Sequence, residues 1–137
     1  MSQKKRPDTE IIAGKQIVSA SVSENDLRSF YNRIIASDRS YVEKKRMCYI
    51  LRALPEGHES PVRTPDLMER TGYSLGIIKT TVRHMRVLGI PVASSAKGYY
   101  LCANDYERQM FYETLMKRIR TAVEESKCFY VRRARVK

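Results

Sequence analysis

The sequence predicts a mainly α-helical fold with one small β-hairpin, on three observations. Helix stops and starts stand close together at Thr64-Pro65, Gly72, Ser74 and Gly89-Ile90-Pro91. Apolar residues recur between them at three and four positions, the spacing of one helix face. Two short strand-like runs, residues 91–95 and 98–102, then flank the turn-forming Ser95, Ala96, Lys97 and Gly98.

Taken in chain order, the first helix opens at Ser23 with Asp26, a capping box in which Asp replaces the preferred Glu. It carries Leu27, Phe30, Tyr31, Ile34 and Ile35 on one side. Ser40 and Glu43 make a better box at the head of a second helix, which runs to about Leu54 with Met47, Ile50, Leu51 and Leu54 on its apolar face. The loop 55–63 holds two prolines and a glycine and is therefore irregular. Val62 is its one residue inviting a short strand, and His58 reads as exposed and without a role. Thr64 is the expected N-cap of the third helix, with Pro65 at the first helical position, where a missing N–H costs nothing. Gly72 takes the left-handed conformation that stops it, and Ser74 caps the next helix two residues later. So short a break makes the two helices cross steeply.

The helix from Ser74 to about Leu88 sorts its residues by face. Ile78, Val82 and Met85 form a core stripe, with Leu75 and Leu88 near the ends. Lys79, Arg83 and Arg86 fall on another face, near Thr80, Ser74 and Gly76. In the hairpin Tyr99 and Tyr100 point to opposite sides, one expected to pack inward and the other to be available at the surface. Asn104 and Asp105 then cap a long helix over residues 106–126. Phe111, Leu115, Ile119 and Ala122 follow one stripe of it, with Tyr112, Met116 and Val123 beside them.

Composition bounds the function. The 137 residues suit a single domain with an extension at each end. The expected division is a flexible basic arm over 1–20, a core domain over 21–103, a helix over 104–127 and a basic tail over 128–137. Lys and Arg total 26 against 15 Asp and Glu, a net charge of +11, which favours a polyanionic partner and salt-sensitive binding. No apolar run approaches the roughly 20 residues that span a bilayer, and the N-terminus lacks the apolar core of a signal peptide. A soluble, cytoplasmic protein of a bacterial nucleoid or an infected host cell is the expectation. Cys48, Cys102 and Cys128 are widely spaced, with only His58 and His84 to join them, so no metal site is expected. Phosphate-binding, dinucleotide and nucleophile-elbow motifs are absent. Neither an enzyme nor a cofactor is indicated.

A basic face on a helix framed by tight turns, followed by a hairpin with Lys97 at its tip, suits DNA. Lysine and arginine reach phosphates or the acceptor edge of guanine, and small residues in the first turn admit close backbone approach. The plainer reading is a solvated basic face on a core helix; the turn chemistry on both sides weighs against it. Residues 49–101 resemble the winged-helix domain found at the N-terminus of bacterial biotin-operon repressors and in many small phage-borne DNA-binding proteins. The matching phrases are Gly72-Tyr73-Ser74, the run from Ile78 through Val82, Met85, Arg86 and Leu88 to Ile90, and, most specific, GIPVASSAKGYYL over residues 89–101. The resemblance implies a winged helix-turn-helix with flanking N- and C-terminal helices. It places Ser74, Leu75, Gly76, Lys79, Thr80 and Arg83 toward the major groove of double-stranded DNA. No ligase domain follows, so biotin chemistry is not implied.

Arg86 on the same helix, Lys97 at the tip, and Lys44, Lys45 and Arg63 upstream complete the expected contacts. The Lys44, Lys45 and Arg46 triplet is read equally well as solvated. The function expected is sequence-specific DNA binding by a phage or mobile-element regulator of transcription or replication. The alternative is a winged-helix module for protein interaction or nucleoprotein assembly, inhibiting or scaffolding a host complex. The apolar face of the last helix needs a cover, either the N-terminal helix or the same helix of a second subunit. A homodimer is the favoured expectation. The aromatic pair Phe129-Tyr130 suggests that the basic tail is anchored where it begins.

Overall fold

The computed structural model describes residues 24–131. The Ser23 cap, the arm over 1–20 and the tail past Val131 lie outside them. Five helices and one hairpin follow in order: α1 (Glu24–Ala36), α2 (Tyr41–Ala53), α3 (Thr64–Thr71), α4 (Leu75–Val87), β1 (Val92–Ser95), β2 (Gly98–Leu101) and α5 (Asp105–Ser126). A single 3-10 turn, Lys127–Phe129, ends the described chain.

Local chemistry sets most boundaries. At α2 the Glu43 N–H donates to Ser40 Oγ at 3.2 Å and the Ser40 N–H to Glu43 Oε1 at 3.1 Å, the reciprocal box the sequence predicts. Such a cap contributes about 1 kcal/mol. Gly72 closes α3 at φ 76° with its N–H on the Met68 carbonyl. Ser74 Oγ then accepts from Ile77 at the head of α4. The start of α3 differs from expectation: Arg63, not Thr64, is the N-cap, and no side chain caps it. The Leu67 N–H already bonds the Arg63 carbonyl at 2.9 Å, so Thr64 is helical and Pro65 sits one position deeper.

The core draws on every element before α5. Ile34 of α1, Met47 and Ile50 of α2, Leu67 of α3, Ile78 and Met85 of α4, and Val92 and Leu101 of the hairpin are buried in one cluster. Fully burying side chains of this size contributes about 1.5–3 kcal/mol each. Ile35, expected on the apolar side of α1, is instead exposed. The loop after α2 follows β2 on its way to α3. Gly57 and Leu101 each donate along it at 2.8 Å, to the Leu101 and Pro55 carbonyls, and Val62 exchanges both backbone hydrogen bonds with Tyr99 at 2.9 Å. Val62 therefore extends the hairpin by an edge. The approach is so close that a Cβ on Gly98, at φ 143°, would lie 2.0 Å from the Val62 carbonyl oxygen.

Both tyrosines of β2 pack inward, on opposite faces. Tyr99 is half-buried against the main core, while Tyr100 joins Ala93, Cys102 and Phe111 in a second cluster beneath α5. Tyr100 is thus the buried member of the pair, and Tyr99 keeps part of its surface exposed. Helix α1 packs on α2 and leaves the far half of α5 exposed, so of the two candidate covers for that helix it is not the one in place. Phe129, Tyr130 and Val131 are exposed as well, and the start of the tail is not anchored on its own chain. Among the described residues no helix is long and apolar enough to cross a membrane.

Candidate nucleic-acid interface

Helix α4 divides into a buried and an exposed face. Ile78, Thr81, Val82 and Met85 are buried. Ser74, Leu75, Gly76, Lys79, Thr80 and Arg83 are exposed together on the other side. The helix contains no Asp or Glu, and among the described residues neither Lys79 nor Arg83 has an ion-pair partner. Leu75 and Gly76 belong to the first turn, whose N–H groups have no carbonyl to meet within the helix and carry partial positive charge. Gly76 has open space where a Cβ would stand, so nothing within the chain requires a glycine there. Its absent side chain leaves backbone accessible from outside.

Arg86 is withdrawn from this face. Its Nε donates to the Val92 carbonyl at 2.7 Å, and its guanidinium lies 5.0 Å from the Phe111 ring centre. Burial holds its pKa below the usual arginine value. Arg86 ties α4 to the hairpin and α5, a structural task that sets it apart from the exposed Lys79 and Arg83. Lys44 is committed too: its Nζ donates at 2.7 Å to the Ile35 carbonyl, at the open end of α1. A cation at a helix C-terminus satisfies that carbonyl and the dipole together.

The other upstream cations form two groups. Lys45 and Arg52 lie over the Tyr49 ring, at 5.7 and 5.2 Å. Tyr49 in turn stacks on Tyr73 with centroids 6.4 Å apart, next to the Ser74 cap. Arg63 is exposed beside the hairpin end, where the Cβ position of Gly98 lies 3.0 Å from the Arg63 Cα. Lys97 stands exposed in the two-residue turn. Arg46, the third member of the basic triplet, lines a groove of about 410 Å³ between α2 and α4 with Thr80, Thr81, His84 and Glu43. Thr81 is only 3% exposed, and its hydroxyl has no hydrogen-bond partner among the described residues. Sequence pattern missed Arg52 as a neighbour of the α4 start and could not set Arg46 against α4, because their proximity comes from the packing of α2 on α4.

The polar centre most plainly missed is Glu107. It is 4% exposed and accepts from the Ala103 N–H at 2.8 Å, from the His58 N–H at 3.0 Å and from His58 Nδ1. Burial raises its pKa, but those hydrogen bonds outweigh burial and hold it below the ordinary carboxylate value. His58 is thus a latch between the loop and α5 rather than an idle surface residue. Cys102, beside it, is pushed up to about 11 by burial and by the Glu107 charge, which keeps the thiol protonated and inert. No group of three or more His, Cys, Asp or Glu residues suited to a metal occurs among the described residues.

The chain matches no known family model, and neither the curated proteins nor the solved structures contain a significant match to it. The functional reading therefore rests on the site itself.

Proposed function

We propose that this chain is a sequence-specific double-stranded DNA-binding protein of winged-helix type, with α4 in the major groove and the β1–β2 hairpin as its wing. The order α2, α3, α4, hairpin, with Val62 adding an edge strand between α2 and α3, supports the fold assignment. The observation that carries the function is the outer face of α4: Gly76, Lys79, Thr80 and Arg83 exposed together, on a helix without a carboxylate. Lys79 and Arg83 read or clamp base edges and phosphates, Thr80 adds a hydroxyl, and the first-turn N–H groups face a phosphate. Lys97 and Arg63 brace the backbone beside the hairpin.

Arg83 and Arg86 give the test, being three residues apart and opposite in role. Arg83→Ala is expected to weaken binding to a selected site by about 1–3 kcal/mol, with a smaller loss on random duplex and no change in thermal stability. Arg86→Ala is expected to lower thermal stability and to leave the preference between selected and random duplex intact. Gel shifts with both duplexes at two salt concentrations read the outcome. Equal losses for Arg83→Ala on the two duplexes would reduce that residue to a phosphate contact, and no loss would remove α4 from the interface.

A further inference from the structure

The distal half of α5 is unfinished in the single chain. Its first turns bury Phe111 and half-bury Leu115 against the cluster of Ala93, Tyr100 and Cys102. Every described residue beyond Met116 is exposed, including Ile119 at 53% and Val123 at 54%. After the helix, Phe129 is 80% exposed.

Two features at opposite ends of this helix fit each other. At the near end an apolar groove of about 290 Å³ has Ile90, Pro91, Phe111, Tyr112 and Leu115 among its walls. Tyr112 and Leu115 lie on the same stripe as Ile119 and Ala122, so the groove continues that stripe toward the body of the protein. At the far end stand Phe129 and Tyr130. Residues 112 and 126 are about 21 Å apart along the axis at roughly 1.5 Å per residue. Phe129 and Tyr130 therefore cannot reach the groove of their own chain.

We propose that a second copy of this chain fills it. Two α5 helices pair antiparallel about a two-fold axis between Arg120 and Thr121, and Phe129 of each copy docks beside Tyr112 of the other. In this register Ile119 meets Ala122 of the second copy and Leu115 meets Ser126. On the flank, Arg118 faces Glu125 of the second copy, twice by symmetry. A parallel pair would instead set Phe129 beside Phe129, leave both grooves at Tyr112 unfilled and give Arg118 no Glu125 to face. The groove and this flanking charge pair thus select the antiparallel arrangement. The pairing stands apart from the DNA reading, and its test needs no DNA.

Sedimentation of the full chain at micromolar concentration is expected to give a mass near twice 15.9 kDa. Phe129→Ala and Ile119→Glu are each expected to raise the dissociation constant at least about tenfold. Their circular dichroism is expected to match the parent, because both side chains are exposed in the single chain. Arg118→Glu is expected to weaken the pair by facing Glu125 across the axis, and adding Glu125→Arg to restore it. A monomer at that concentration overturns the proposal. So does a dimer indifferent to Phe129→Ala, or a double charge swap that fails to restore association.

Discussion

Helices α4 and α5 are both amphipathic, yet they end in opposite states. The core stripe of α4 is used inside the chain, with Ile78 and Met85 at 0% exposure; Leu75 and Val87 at its two ends are exposed, and the charges that it shows to solvent are all basic. The stripe of α5 is used only as far as Leu115, and Ile119 and Val123 remain outside. The difference separates two kinds of surface. An exposed face left over from a satisfied helix is free to be charged, and its composition then reflects a partner. Exposed apolar residues on a half-packed helix instead point to burial still to come.

The contrast breaks first at the core. Ile78→Ala on α4 is expected to destabilise the fold by about 2–5 kcal/mol, the range for truncating a fully buried aliphatic. Ile119→Ala on α5 is expected to change it by no more than about 0.5 kcal/mol at concentrations where the single chain prevails. Urea titrations of the two variants compare them directly. Similar losses would mean that α5 is packed along its whole length.

The near and far ends of α5 differ as well, and Glu107 sharpens that. Glu107→Gln is expected to cost about 1–3 kcal/mol at neutral pH, since it removes the charge that the Ala103 and His58 donors surround. The folded pKa is depressed, so the contribution is complete above the ordinary carboxylate value and is lost as pH falls through that value to the lower folded one. Acid denaturation of the variant is expected to lack this component. An unchanged acid limb would show that the latch holds nothing.

The smallest expected effect is at Gly76. Replacing it with Ala is expected to raise thermal stability by up to about 1 kcal/mol, because alanine favours helix and the site is open. The same change is expected to weaken DNA binding by blocking backbone approach. Stability gained with affinity unchanged would mean that the first turn of α4 does not meet DNA.

Elements written in local chemistry were legible in the sequence. The Ser40 box, the Gly72 stop, the Ser74 cap and the two-residue hairpin turn are each decided by a few adjacent residues, and they stand where expected. At Val62 the sequence showed only a residue inviting a strand; its pairing with Tyr99 is long-range. What sequence pattern could not give was long-range company. Arg86 shares a helix face pattern with Lys79 and Arg83, but the arrival of Val92 and Phe111 beside it decides its role. Glu107 looks like one more surface carboxylate until His58, 49 residues away, closes over it. Lys44 was lost to the end of α1 in the same way. At the cap of α3 the rule itself was overridden, because the Val62 pairing ends at Arg63 and leaves Thr64 free to turn helical.

Selection of bound sites from a random duplex library tests the central claim most directly. A short motif is expected to be enriched by the parent chain and lost when Lys79 and Arg83 on α4 are both changed to Ala. Retention of random duplex without enrichment, or an enriched motif that survives both changes, would contradict it.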